Sequence, residues 1–173
     1  MGELFERNTE LHFVKLCVTL CKVKKMKMKN VYDCTIIELD RHHSQRKGDI
    51  CVVENGLTVP FDVKRVYYLY DIPGGVSRGG HAHKKLKQLI VALSGSFTVT
   101  LDDGNIKRTF HLNRPYQGLL VEPGIWRTLD DFSSGSVCLV LASEVYDKED
   151  YMMEYGEFME YRKPEEVSGK QLQ

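Results

Sequence analysis

Residues Gly75–Gly95 read GVSRGGHAHKKLKQLIVALSG, and the two halves of this stretch make different statements. His81 and His83 are one residue apart, so on an extended strand both side chains project from one face. Behind them Leu89–Leu93 is continuously apolar, as in a strand covered on both sides. Ser94-Gly95 then turns the chain. Two imidazoles converging on one small volume suit metal ligation, acid–base chemistry, or both. The plain alternative is a pair of polar residues on an exposed strand.

Working outward, the chain is a series of short strands separated by turn residues. Upstream, Thr35–Leu39, Ile50–Glu54 and Val63–Tyr70 are strand candidates, with Asp40–Gly48 reading as a polar loop and Asn55-Gly56 as a turn. Downstream, Ser96–Leu101 alternates, with Phe97, Val99 and Leu101 on one face and Thr98 and Thr100 on the other. Asp102-Asp103-Gly104-Asn105 is a hairpin turn. Ile106–Leu112, Gly118–Glu122, Trp126–Leu129 and Val137–Ala142 complete a run of about nine strands. Strands at that spacing make an all-β sandwich or barrel, not a βαβ protein.

The ends differ from this body. Residues 1–29 form an N-terminal extension ending in a basic run, read either as one weakly amphipathic helix or as a non-native leader. After the strands, Asp147 is an N-cap candidate, and Tyr151, Tyr155, Phe158 and Met159 share one helical face. Residues 164–173 read as a frayed tail. The β body therefore occupies 30–163.

Composition narrows the function. The 173 residues suffice for one domain with a substantial core. Lys+Arg and Asp+Glu are both 24, so the net charge is zero, which argues against nucleic acid or an acidic membrane as partner. No apolar run approaches the roughly 18 residues of a membrane span. Five scattered cysteines without a CxxC pair suit reduced thiols in the cytoplasm.

The spacing of the histidine stretch resembles the first motif of the cupins: Gly75, His81, His83, a polar residue and Gly95 at the expected intervals, with Gln88 where metal-binding cupins carry Glu. Gly118–Arg127, GLLVEPGIWR, resembles the second motif, with Arg127 in place of its ligand histidine. Two imidazoles, a neutral amide and a cation are a poor metal set, because a guanidinium has no lone pair to give and repels a cation. No metal and no other cofactor is therefore expected, and the histidines are left free for proton transfer.

Further segments resemble the nucleotide-sugar 3,4-ketoisomerases, the WxcM-like cupins that include the dTDP-4-keto-6-deoxyglucose 3,4-ketoisomerases. They are Lys64–Tyr68, Arg78–Lys85, Leu101–Gly104, Asp131–Ser134, Val140–Ser143 with Tyr146-Asp147, and Asp150-Tyr151. The likeness runs from about Thr35 to Tyr161; it departs at Trp126-Arg127, where that family commonly carries Trp-His. It implies a double-stranded β-helix (jelly roll) with a short C-terminal helix, a homodimer, and a ketone moved from C4 to C3 of a nucleotide-linked, dTDP-type sugar through an enediolate. A cupin that binds such a sugar without chemistry is the alternative.

The resemblance makes His81 the C3 base and His83 the second proton carrier. It puts Tyr67, on the same strand face as Arg65, beside the pocket to steady the sugar or the enediolate oxygen, unless it is a core aromatic. Arg65 and Arg78 are candidates for the pyrophosphate, with a surface ion pair the alternative for Arg65. Gln88 is expected to line the pocket, Trp126 to stack on the base or join the core, and Arg127 to serve phosphate or enolate or to pair with Asp130 or Asp131. His12, His42, His43 and His111 are surface residues on this reading.

Overall fold

The computed structural model describes residues 28–163, which carry twelve strands and one short α-helix. The expected N-terminal helix or leader, but for Met28 and Lys29, and the expected tail lie outside the described residues. The strands are β1 (Thr35–Glu38), β2 (Asp40–Ser44), β3 (Gly48–Val52), β4 (Arg65–Leu69), β5 (Arg78–His83), β6 (Gln88–Ser94), β7 (Phe97–Asp102), β8 (Lys107–Leu112), β9 (Gln117–Val121), β10 (Trp126–Asp130), β11 (Val137–Ala142) and β12 (Tyr151–Met152). The helix, α1, is Tyr155–Arg162.

Two five-stranded antiparallel sheets, ordered β1-β9-β6-β11-β4 and β12-β5-β10-β7-β8, face each other as a jelly roll. Side chains that alternate inward fill the space between them. Ile90, Ala92, Leu119 and Val140 come from the first sheet, and Phe97, Val99, Leu101 and Leu129 from the second. Phe97 stacks on Phe132 at 5.1 Å between ring centres. Each of these side chains apart from Ala92 contributes about 1.5–3 kcal/mol by leaving water.

The unbroken apolar run of β6 has a direct cause. Ile90 and Ala92 enter this core, while Leu89 and Val91 enter a second cluster with Leu39, Val59, Leu120 and Leu141. Phe61 and Val63, from the segment before β4, pack over that second cluster. Residues 89–92 of β6 are thus covered on both faces.

The β7–β8 hairpin forms at the expected turn. Asp102 accepts from the Gly104 amide at 2.7 Å, Asp103 accepts from Asn105 and Ile106, and Gly104 sits at φ +87°. Two expectations need correction. Asp40–Gly48 is not simply a loop: β2 pairs with β3 as a separate two-stranded ribbon. The residues of β2 are polar and mostly exposed on both faces, so no apolar alternation marks that strand. The C-terminal helix also begins later than its periodicity suggests. Asp147 caps only a single 3₁₀ turn, Lys148–Asp150, and Tyr151 belongs to β12, paired with His83.

Candidate active site

Position 81 owes its direction to a bulge. Opposite β10, Arg127 pairs with His81 but Thr128 pairs with Gly79, leaving Gly80 as the extra residue. Gly79 and Gly80 have φ of +82° and +66°, which suits glycine. A Cβ at Gly79 would lie 2.8 Å from the Arg127 carbonyl oxygen. Beyond the bulge, His81 and His83 point into the roll, while Ala82 faces outward to Met152 and Phe158.

The two rings lie 5.1 Å apart, almost perpendicular, and share one partner. A single terminal nitrogen of Arg127 lies 2.7 Å from His81 Nε2 and 3.0 Å from His83 Nε2. Arg127 also donates to the His81 carbonyl. A guanidinium only donates, so both Nε2 atoms accept and both protons sit on Nδ1. The Nδ1 atoms then donate, from His81 to the Gly79 carbonyl at 3.1 Å and from His83 to Asp150 at 2.9 Å. Both imidazoles are therefore neutral, with their lone pairs aimed at one point. That point holds a guanidinium nitrogen, so the donor set does not suit a metal. Arg127 does not reach Asp130 or Asp131 for an ion pair; it is 3% exposed and makes no direct ion pair among the described residues.

Burial, then the Arg127 charge, holds His81 down at about 4. The same two causes, in the same order, with His81 and Arg65 adding to them, hold His83 at about 2. Burial pushes the Tyr67 phenol upward, keeping it protonated. The Gln88 amide donates to the Tyr67 oxygen at 2.7 Å, which leaves the phenol proton for another acceptor.

His81, Tyr67, Arg127 and Arg78 line a cavity of about 110 Å³ with Gly79, Leu129 and other apolar walls. Arg65 lies half-buried beside it, its guanidinium 5.4 Å from the Tyr67 ring and 5.6 Å from Tyr146. Six sequence candidates therefore gather: His81, Tyr67, Arg127, Arg78, Gln88 and Arg65. Two are placed differently. His83 is 2% exposed and lies behind His81, outside the cavity lining. Trp126 alternates with Arg127 on β10, so it points out of the roll and packs against Tyr155 and Phe158 at 5.2 and 5.6 Å. His42, His43 and His111 are exposed, as expected.

Two neighbours went unassigned from the sequence. Asp150 reads as a first-turn helix acid, yet its carboxylate is buried against His83 and accepts from the Lys85 and Leu86 amides at 2.7 and 3.3 Å. Tyr151 packs 4.3 Å from the His83 ring and 5.1 Å from His81. The available signal was adjacency: an Asp-Tyr pair just before the helix, inside the family-like segments.

A jelly roll with one imidazole, a buried guanidinium and a phenol at one cavity, and a second imidazole behind the first, is a cupin-type fold with groups suited to proton transfer. The family model described as FdtA, WxcM-like, C-terminal matches residues 32–163. A TDP-4-oxo-6-deoxy-α-D-glucose-3,4-oxoisomerase of Aneurinibacillus thermoaerophilus is 47% identical over 115 residues, 66% of this chain and 83% of that protein. The sugar 3,4-ketoisomerase QdtA of Thermoanaerobacterium thermosaccharolyticum, solved with TDP, is 35% identical with a TM-score of 0.74, covering 77% of this chain and 96% of that one. The TDP-quinovose 3,4-ketoisomerase of Campylobacter jejuni is 41% identical with a TM-score of 0.70, covering 77% and 99%. The chain belongs to the WxcM-like family of sugar 3,4-ketoisomerases, and it is an isomerase of that class.

Proposed function

We propose that the chain converts a dTDP-linked 4-keto-6-deoxy sugar to its 3-keto isomer, with His81 as the base. The carrying observation is that His81 Nε2 is a neutral lone pair at a cavity it shares with Tyr67 and Arg127. The relative from Aneurinibacillus acts on TDP-4-oxo-6-deoxyglucose and the one from Thermoanaerobacterium holds TDP, which supports this substrate class.

Abstraction of the C3 proton places negative charge on the C4 oxygen. Arg127 and the Tyr67 phenol are donors for that charge, and such donors stabilise a developing oxyanion in a dry site. When the Arg127 N–H turns from His81 Nε2 to this oxygen, the lone pair is freed to take the proton. Passage of the C3 hydroxyl's proton to the C4 oxygen, with return of the abstracted proton from His81 to C4, completes the shift of the ketone and leaves a hydroxyl at C4. Because His81 lines the cavity while His83 is buried behind it, we assign both carbon proton transfers to His81. Arg78 and Arg65 are the candidates for the pyrophosphate; Gln88 holds Tyr67.

The substrate in deuterium oxide, followed by NMR, tests this. His81→Asn is expected to abolish both product formation and solvent exchange at C3. A fully active variant, or a parent giving no 3-keto sugar, overturns the assignment.

We further propose a homodimer in the cytoplasm. Val66 and Tyr68 on β4, an edge strand, and Tyr70 just beyond it form an exposed apolar row, and Cys34, Cys51 and Cys138 are free thiols. No helix among the described residues is long and apolar enough to cross a membrane. Sedimentation analysis that finds only monomer would remove the dimer.

A further inference from the structure

Asp150 and His83 do not line the cavity, yet their polar atoms are all committed along one line. The Lys85 and Leu86 amides hold the carboxylate, the carboxylate holds His83 Nδ1–H, and His83 Nε2 accepts from Arg127. The same guanidinium nitrogen then reaches His81. A buried cation requires compensation. Among the described residues Arg127 has no carboxylate in direct contact, and the nearest negative charge in this line is Asp150, one imidazole away.

We propose that Asp150 and His83 are positioning residues that anchor Arg127. In this arrangement one Arg127 N–H stays fixed on His83 while the other is free to pass from His81 to the substrate oxygen. This rests on the isomerase reading above and adds to it a division of labour: His81 handles the proton, and the Asp150–His83 pair aims the cation.

The role of the carboxylate is to set the tautomer. Only an acceptor at position 150 keeps the proton on His83 Nδ1 and its lone pair on Nε2. In Asp150→Asn the side-chain oxygen is able to keep the Lys85 amide as its partner, which turns the amide NH₂ toward His83 Nδ1. The imidazole then carries its proton on Nε2, donor against donor with Arg127. Substituting an orienting carboxylate in this way has cost about 10⁴-fold in kcat in the serine-protease triad and about 10–100-fold at metal sites.

The test joins two readouts on the full chain. Nitrogen-15 histidine spectra of the parent at neutral pH should show both site histidines neutral with the proton on Nδ1, and Asp150→Asn should move the His83 proton to Nε2. The variant's kcat should fall at least about 100-fold, with KM and TDP affinity within about threefold of the parent, and Asp150→Glu should recover part of the loss. A parent His83 that is charged or protonated on Nε2 overturns the proposal, even if no variant folds. So does an Asp150→Asn protein with parental kcat, or one whose loss lies in KM. If the parent turns over no keto sugar, the isomerase reading fails, while the spectra still decide the anchoring.

Discussion

Replacing Arg127 with Met removes one charge and keeps most of the volume, so it separates the electrostatic part of the site from the packing. In the folded chain His81 sits at about 4 rather than the ordinary 6.5. That gap is worth about 3 kcal/mol of preference for the neutral ring. Burial is its larger cause and the Arg127 charge its second, so the substitution restores only the smaller share. A rise of about one pH unit in the His81 midpoint is expected, measured by the ring-proton shifts in an NMR titration. The base becomes stronger, yet the reaction slows. The donor 2.7 Å from His81 Nε2 is also the group available to the oxyanion, and losing such a donor costs about 10²–10³-fold in kcat. Two imidazole acceptors lose their partner, at about 1–3 kcal/mol of stability. The opposing effects make the result diagnostic. A variant whose His81 midpoint stays put or falls refutes the electrostatic account. A variant with a raised midpoint and undiminished kcat refutes the role given to Arg127.

Acid sensitivity follows from the same geometry. Both imidazoles titrate below 6.5 when folded, so the unfolded chain binds more protons between about pH 4 and 6.5. Stability should therefore be complete above that window and be lost as pH falls through it. Two groups contribute a slope of up to about 2.7 kcal/mol per pH unit. Urea unfolding of the parent and a His81→Asn/His83→Asn protein should show it, and equal slopes would contradict it. The bulge offers a paired comparison. Gly79→Ala meets the Arg127 carbonyl at 2.8 Å as well as a positive φ, and should cost about 3 kcal/mol together with activity. Gly80→Ala has open space and should cost only about 1 kcal/mol, read from denaturant midpoints; equal losses would show that the close approach does not matter.

Local pattern was enough for several features. One intervening residue puts His81 and His83 on one strand face whatever the surroundings, and the apolar run from Leu89 marks a strand covered on both sides through Ala92, with Leu93 exposed at its end. The Asp102–Asn105 turn follows from side chains bonding to their own backbone, a contact that needs no tertiary partner. Alternation across short strands made the all-β class legible. It could not show β2, whose polar, exposed residues carry no burial signal.

The remainder depends on contacts between residues distant in the chain. Asp150 lies 67 positions from His83, and spacing along the sequence carries no trace of that bond; Arg127, 46 from His81, was brought near the histidines only by the likeness to the second cupin motif. Tyr151 satisfied a helical period, but pairing with β5 drew it into a strand beside His83. The sequence put His83 on the same face as His81 and left Trp126 either to stack on the base or to join the core. Alternation across β10 turned Trp126 outward, and the depth of the roll left His83 behind His81. A strand's period of two decides which residues share a face. Which of them meets the cavity is decided by the sheets and turns that pack around it.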